Sequence, residues 1–272
     1  MNTFFDTHSH LQEAAFERDI EAVIERARAA GVTQVAICGW DAQSNVRALE
    51  MATGAPGVLA TVGYHPHEAK TVTAAMLWEL EAQAALAEVA AIGEIGLDFF
   101  RDHSPRDVQR RVLQEQLEIA VRLSKPVSLH TRGAETEIGE LLEPYAAASP
   151  LRGAGGPVGV LHCFGGTLEQ ALRYVDMGFM ISVACTVTYP GNAAGRDVAR
   201  GVPLESLVIE TDSPYLPPQT LRGTRNEPAH VVRAAETIAS VRGLSLEAVA
   251  AATTANASRS FGVAIAEMAV RA

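Results

Sequence analysis

Cysteine and lysine are both scarce in this chain, and each shortage closes off a class of protein. The three cysteines, Cys38, Cys163 and Cys185, make neither a Cys-x-x-Cys pair nor an even set, which excludes a disulfide-stapled scaffold and a thiolate metal knuckle. Each lies in or beside a predicted strand, so they read as buried, reduced thiols. Lysine occurs only at Lys70 and Lys125, and the formal net charge is −10. That inventory offers no broad basic face for gripping a duplex, because such binding relies on Lys and Arg neutralising phosphates. A phosphate held by bound metals and a few local arginines remains compatible with it. Apolar runs fall far short of the ~20 residues needed to span a bilayer. The N-terminus enters a strand at once, without the charged and hydrophobic segments of a secretory signal. The expectation is a cytoplasmic protein with no membrane attachment, and a monomer is taken as the default state.

What is present is a regular alternation. The chain is 48% hydrophobic and 20% charged, an ordinary globular balance. Phe4 and Phe5 open an apolar strand, and residues 14–30 carry Phe16, Ile20, Val23, Ile24 and Ala27 at helical spacing until Gly31 stops the run. Further strands are predicted at Val32–Cys38 and Val58–Val62, then at three runs closing on Glu94, His130 and His162, and finally at 179–183 and 207–211. Helices are predicted between them at 44–53, through Trp78 to Leu86, at 105–123, 136–145 and 168–177, near Val198, from Pro228, and over 245–261. Residues 146–157, rich in Ala, Gly, Ser and Pro, read as a lengthened exposed connection rather than a domain boundary. Eight strand–helix units without an internal repeat, in 272 residues, predict an α/β fold. A single (β/α)₈ TIM barrel of about 250 residues is the matching architecture, with one domain over 1–272.

In such a barrel the ends of all the strands share one rim, and residues there are read for chemistry first. His8 and His10 stand two apart on an extended segment, so both side chains point to one face and can hold one cation. Glu94, His130, His162 and Asp212 each follow another strand. Four imidazoles and two carboxylates can hold two divalent cations, with Glu94, near the middle of the order, placed to bridge them. Paired metals polarise a scissile bond and stabilise its attacking and leaving oxygens. Such a ligand set is compatible with Zn²⁺, Mn²⁺, or a Mg²⁺ that keeps several waters. A carboxylated lysine is ruled out as bridge: Lys125 precedes the fifth strand, and Lys70 lies in a loop beyond His67. Asp6 shares the strand face of His8 and can orient a histidine; Asp98 can do the same or cap its turn. Arg225, Asn226 and Glu227 precede Pro228, and a helix N-terminus plus an arginine suggests a phosphate site. Arg101, Arg106 and Arg132 have weaker claims.

The strings Phe5-Asp6-Thr7-His8-Ser9-His10, Gly63-Tyr64-His65-Pro66-His67, Gly93-Glu94-Ile95-Gly96-Leu97-Asp98, His162-Cys163-Phe164-Gly165-Gly166-Thr167, Glu210-Thr211-Asp212-Ser213-Pro214 and Arg225-Asn226-Glu227-Pro228 occur in this order. Together they closely resemble the TatD family of metal-dependent hydrolases, over nearly the whole chain. The resemblance implies an amidohydrolase-like barrel and a nuclease that trims DNA from the 3′ end. It also implies His8 and His10 as first-strand ligands, Glu94 as the shared ligand, and His130 and His162 on a second metal. Asp212 is implied to contact a metal and to orient or deprotonate the attacking water, and His65 to sit near the substrate phosphate. The chain departs from the family pattern at Ser182-Val183-Ala184-Cys185 and Thr131-Arg132-Gly133, which bears on the shape of the substrate cleft rather than on the implied ligands. The expected substrate is a single-stranded or frayed nucleic-acid end. The rival activity is hydrolysis of a non-phosphate ester or amide, such as an ester on the 3′ end of RNA. A non-catalytic scaffold is disfavoured, since it has no need to accumulate charge around a missing metal.

Overall fold

Parallel β-strands can bury both faces only if helices cover them, and that is the arrangement found in the computed structural model, which describes residues 2–54 and 56–265. Eight parallel strands follow chain order in one sheet: β1 (Phe4–Ser9), β2 (Val32–Cys38), β3 (Val58–Val62), β4 (Val89–Asp98), β5 (Val127–Arg132), β6 (Gly159–Leu161), β7 (Phe179–Ala184) and β8 (Leu207–Glu210). The covering helices are α1 (Ile20–Ala29), α2 (Ala42–Gly54), α3 (Ala74–Ala84), α4 (Arg106–Leu123), α5 (Glu137–Ala148), α6 (Pro150–Gly153), α7 (Leu168–Asp176), α8 (Ala193–Gly201), α9 (Val231–Arg242) and α10 (Leu246–Phe261). First and last strands meet at their C-terminal ends. Asp212 N donates to His8 O at 2.9 Å, and His10 N to Ser213 O at 2.7 Å. Among the described residues no helix is long and apolar enough to cross a membrane.

Two apolar regions hold the barrel. The larger packs helices onto the outer faces of the strands, with Phe16, Ile37, Leu80, Ile92, Leu113 and Tyr174 among its largest members. The smaller joins Phe5, Ala36, Ala91, Val160, Met180 and Val208 to Phe261 of α10, whose ring lies 5.5 Å from that of Phe5.

The elements depart from the sequence expectations where tertiary contacts decide. The helix expected from residue 14 begins at Ile20; residues 11–19 form turns, closed by Glu13 N on His10 O and Phe16 N on Glu13 O. β4 does not stop at Glu94 but continues to Asp98, because Ile95 to Asp98 pair with Leu129 to Arg132. Gly96 permits that pairing: at φ 150° a Cβ would lie 1.9 Å from His130 O, so only glycine fits. The 146–157 connection holds the single turn α6, and Pro228 opens a short 3₁₀ turn (Pro228–His230) before α9.

Candidate active site

Alternation along β1 places the His8 and His10 side chains together, their Nε2 atoms 3.3 Å apart. Asp212 comes from the turn after β8, where it takes a left-handed φ of 57°. This turn brings its Oδ1 to 3.5 Å from His10 Nε2 and 3.9 Å from His8 Nε2. Glu94 lies between two groups of imidazoles. Its Oε2 is 3.5 Å from His8 Nε2 and 3.7 Å from His10 Nε2. Its Oε1 is 2.8 Å from His162 Nε2, 3.0 Å from His130 Nδ1 and 3.5 Å from His65 Nε2. The structure thus gathers His8, His10, His65, Glu94, His130, His162 and Asp212 into one cluster at the C-terminal end of the barrel.

The outward nitrogen of each histidine decides what the inward one can do. His10 Nδ1 lies 2.9 Å from the Cys38 carbonyl, which only accepts, so Nδ1 carries the proton. His162 Nδ1 faces Glu210 Oε1 at 3.4 Å, and His130 Nε2 lies 3.3 Å from Asp98 Oδ2, so a proton on either outward nitrogen faces a carboxylate. In each neutral ring the remaining nitrogen then presents a lone pair to Glu94 or Asp212. Acceptor facing acceptor at about 3 Å is unfavourable unless a cation lies between them. A proton or a metal satisfies that demand, and the groups His8–Glu94–His162 and His8–His10–Asp212 each place their ligand atoms within 4.8 Å of one another. The residues fit a divalent cation.

Without a metal the charges compensate one another. Burial alone would raise the Glu94 pKa, but the His162 and His8 charges and the His130 hydrogen bond hold it well below the usual carboxylate range. Burial alone would lower the His162 pKa, yet Glu94 and Glu210 push it well above its ordinary value. Asp212 also stays low: burial opposes ionisation, and the hydrogen bond from His10 with the charges of His162 and His8 outweighs it.

His65 differs from the others. Its Nδ1 accepts from His67 N at 3.1 Å, so a neutral ring carries its proton on Nε2, facing the cluster as a donor. Burial holds it neutral, with its pKa well below the ordinary value despite the nearby Glu94 charge. Asp98 performs both roles open to it. Oδ1 accepts from Phe100 N and Arg101 N at 2.9 and 2.7 Å; Oδ2 lies 2.9 Å from His67 Nε2 and 3.3 Å from His130 Nε2.

Three sequence expectations need correction in their placement. Asp6 does not orient a histidine ring: it accepts from Thr211 N at 2.8 Å and Thr211 Oγ1 at 2.5 Å, clamping the residue before Asp212. Burial raises the Asp6 pKa to about 8 even against those hydrogen bonds. Arg225 and Asn226 are not brought to the cluster. Arg225 spends its donors on Asp19, at 2.8 and 2.7 Å, and on Ala15 O at 2.6 Å, with its guanidinium over the Phe16 ring. Asn226 is fully buried; its amide donates to Thr211 O at 2.9 Å and Tyr215 O at 2.7 Å, so it braces the turn that carries Asp212. A long-range partner for Arg225, rather than a helix terminus, accounts for the charge there.

The cluster opens into a cleft of about 700 Å³ whose walls include Arg47, Arg101, Arg132, Trp40 and Tyr215. Arg106 is outside it, lying over Phe99. His67 and His103 also line it; the spacing of His67 two residues after His65 was the available signal for the former, and His103 had none.

The model of the family described as TatD related DNase matches residues 5–262. The chain belongs to the TatD family. It is 36% identical over 259 residues to the uncharacterized metal-dependent hydrolase YabD of Bacillus subtilis, with 95% of this chain and 99% of that protein covered. It is 37% identical over 266 residues to the 3′-5′ ssDNA/RNA exonuclease TatD of Citrobacter rodentium, covering 96% and 98%. The crystal structure of YjjV, a TatD homologue from Escherichia coli K12, superimposes with a TM-score of 0.88 at 34% identity, covering 96% and 98%. The TatD barrel is therefore shared along essentially its whole length.

Proposed function

We propose that this TatD family member is a divalent-metal-dependent phosphodiesterase that removes nucleotides from the 3′ end of single-stranded or frayed nucleic acid, DNA foremost, as a cytoplasmic monomer. The observation that carries the reading is the division of Glu94, with Oε2 toward His8 and His10 and Oε1 toward His130 and His162. His8, His10, Asp212 and Glu94 would hold one ion, and His130, His162 and the other oxygen of Glu94 a second. Mg²⁺, Mn²⁺ and Zn²⁺ all suit imidazole–carboxylate sites. Such ions supply charge to a phosphoryl oxygen and acidify water.

The side chains supply the rest. Asp212, ionised and at the edge of the cluster, steers the attacking water and accepts its proton. His65, with its proton on Nε2, donates toward a non-bridging phosphate oxygen. Arg101 and Arg132 in the cleft wall meet the neighbouring backbone phosphates. Asp98 holds the ring of His130, and Glu210 Oε1 faces that of His162 at 3.4 Å. Metal-stripped protein given one metal at a time, with 5′-labelled DNA and RNA oligonucleotides, tests the reading. A ladder shortening from the 3′ end is expected with at least one of the three metals; no shortening with any of them overturns it.

A further inference from the structure

Two aromatic rings beside the cluster are left unused by the chemistry above. Tyr215 is 50% exposed, lines the cleft, and has its ring 6.1 Å from that of His10 at 67°. Trp40 lines the same cleft, with its ring 5.2 Å from His10 at 82°. Neither is a loose surface side chain. The Tyr215 hydroxyl donates to Glu13 Oε1 at 2.6 Å, Tyr215 N donates to Asp212 O at 2.9 Å, and its carbonyl accepts from Asn226. Trp40 is anchored through its backbone, whose N–H donates to Ser44 Oγ at 2.8 Å and whose carbonyl accepts from His65 N at 2.9 Å. The Tyr215 ring is held by its hydroxyl and the Trp40 ring stands on an anchored backbone beside His10, so little freedom is lost on binding.

The surrounding charge says which part of a nucleotide can lie there. Glu13 is bonded to Tyr215, and Asp41 follows Trp40 in the chain; both line the cleft, and both repel phosphate. Arg47 of α2 also lines the cleft, but its guanidinium faces Gln12 O at 3.4 Å and Glu17 Oε1 at 3.7 Å; Arg101 and Arg132 belong to the loop after β4 and the end of β5, the His130 side of the cluster. A backbone phosphate therefore favours that side, and a neutral group favours the rings. Resting on the nuclease reading, we infer that Tyr215, with Trp40 beside it, is a stacking platform for one unpaired base next to the scissile phosphate. A π-face is common to every base, so the platform is tolerant of sequence and of the sugar. A base inside a duplex is already stacked and paired, so the substrate class is a strand end whose last nucleotides are unpaired.

The test uses the metal-loaded enzyme and oligothymidylates that are intact or carry an abasic residue at one of the last two positions. Wild-type KM for the abasic substrate at the stacked position should be roughly 5- to 150-fold higher than for the intact one, the range of a lost base–aromatic stack. In Tyr215→Ala the intact substrate loses its advantage and the ratio falls toward one, the change lying in KM rather than kcat. Tyr215→Phe, which keeps the ring without the Glu13 hydrogen bond, should retain the wild-type ratio. A wild-type enzyme indifferent to the abasic residue at both positions, or a Tyr215→Ala enzyme with the wild-type ratio, overturns the platform while leaving the nuclease reading intact. Loss of the ratio in Tyr215→Phe as well assigns the effect to the hydroxyl and also overturns stacking. Failure of wild-type protein to cut any oligonucleotide instead sinks the nuclease reading, and the platform with it.

Discussion

Replacing Glu94 by glutamine removes one charge and one acceptor from the centre of the cluster while keeping its shape. In the wild type Oε1 lies within 3.5 Å of the nearest nitrogens of His65, His130 and His162, and Oε2 within 3.7 Å of those of His8 and His10. The amide has a single acceptor oxygen and turns an NH₂ donor toward the other set. One cation at most keeps an oxygen ligand from this residue, and the total negative charge balancing two dications falls. The expected stoichiometry after dialysis at micromolar metal is one ion per chain or fewer, against two for the wild type. Charge stabilisation by a metal is worth several kcal/mol of transition-state energy; taking about 4 kcal/mol, kcat falls roughly 10³-fold. Elemental analysis and single-turnover oligonucleotide cleavage on the same preparation measure both. Two retained ions together with wild-type turnover would refute the bridging role and the two-ion site with it.

The flanking residues separate ligand, base and brace. Asp212→Asn keeps the shape but cannot take a proton, so kcat should drop by roughly 10²–10⁴ with KM little changed; near-normal turnover at saturating metal would remove it as the base. Asp98→Asn weakens the grip on His130, and metal affinity should fall roughly 10- to 100-fold, with activity recovered at high metal; activity lost irrespective of metal concentration would contradict an orienting role. Loading the metal-stripped protein should release protons: burial lowers the His162 pKa, but Glu94 and Glu210 raise it further, so the free ring is protonated near neutrality. Metal must displace that proton, and affinity should rise with pH by up to roughly tenfold per unit for each proton displaced. Proton-neutral binding in calorimetry across buffers would contradict this. Arg225→Ala should leave KM unchanged and lower Tm, since its donors serve Asp19 and Ala15; a raised KM at unchanged Tm would return the arginine to the substrate.

The gathering of these side chains was legible because its logic is local. His8 and His10 share a strand face by their spacing alone, and a barrel gathers the residues at its strand ends onto one rim. Asp98 was readable only as a choice between two tasks, since one oxygen serves its own loop and the other reaches histidines from two different elements. Arg225 was misplaced for the opposite reason. Its neighbours in sequence advertise a helix start, but its partner Asp19 lies more than 200 positions away, in turns whose apolar spacing imitates the beginning of a helix. The extra length of β4 depends likewise on pairing with β5, for which Gly96 is a necessary but not a distinctive sign.

Thr211, held by Asp6 from 205 positions earlier, makes the site depend on two segments that are synthesised far apart in time. The two first-strand histidines are made long before their carboxylate partner Asp212, which follows them by about two hundred residues. Until then β1 lacks its eighth neighbour and the cluster is short of an acidic group. A product ending before β8 has neither Asp212 beside the histidines nor the contacts of residues 212 and 213 with the end of β1. The site is thus completed by the last strand to be made.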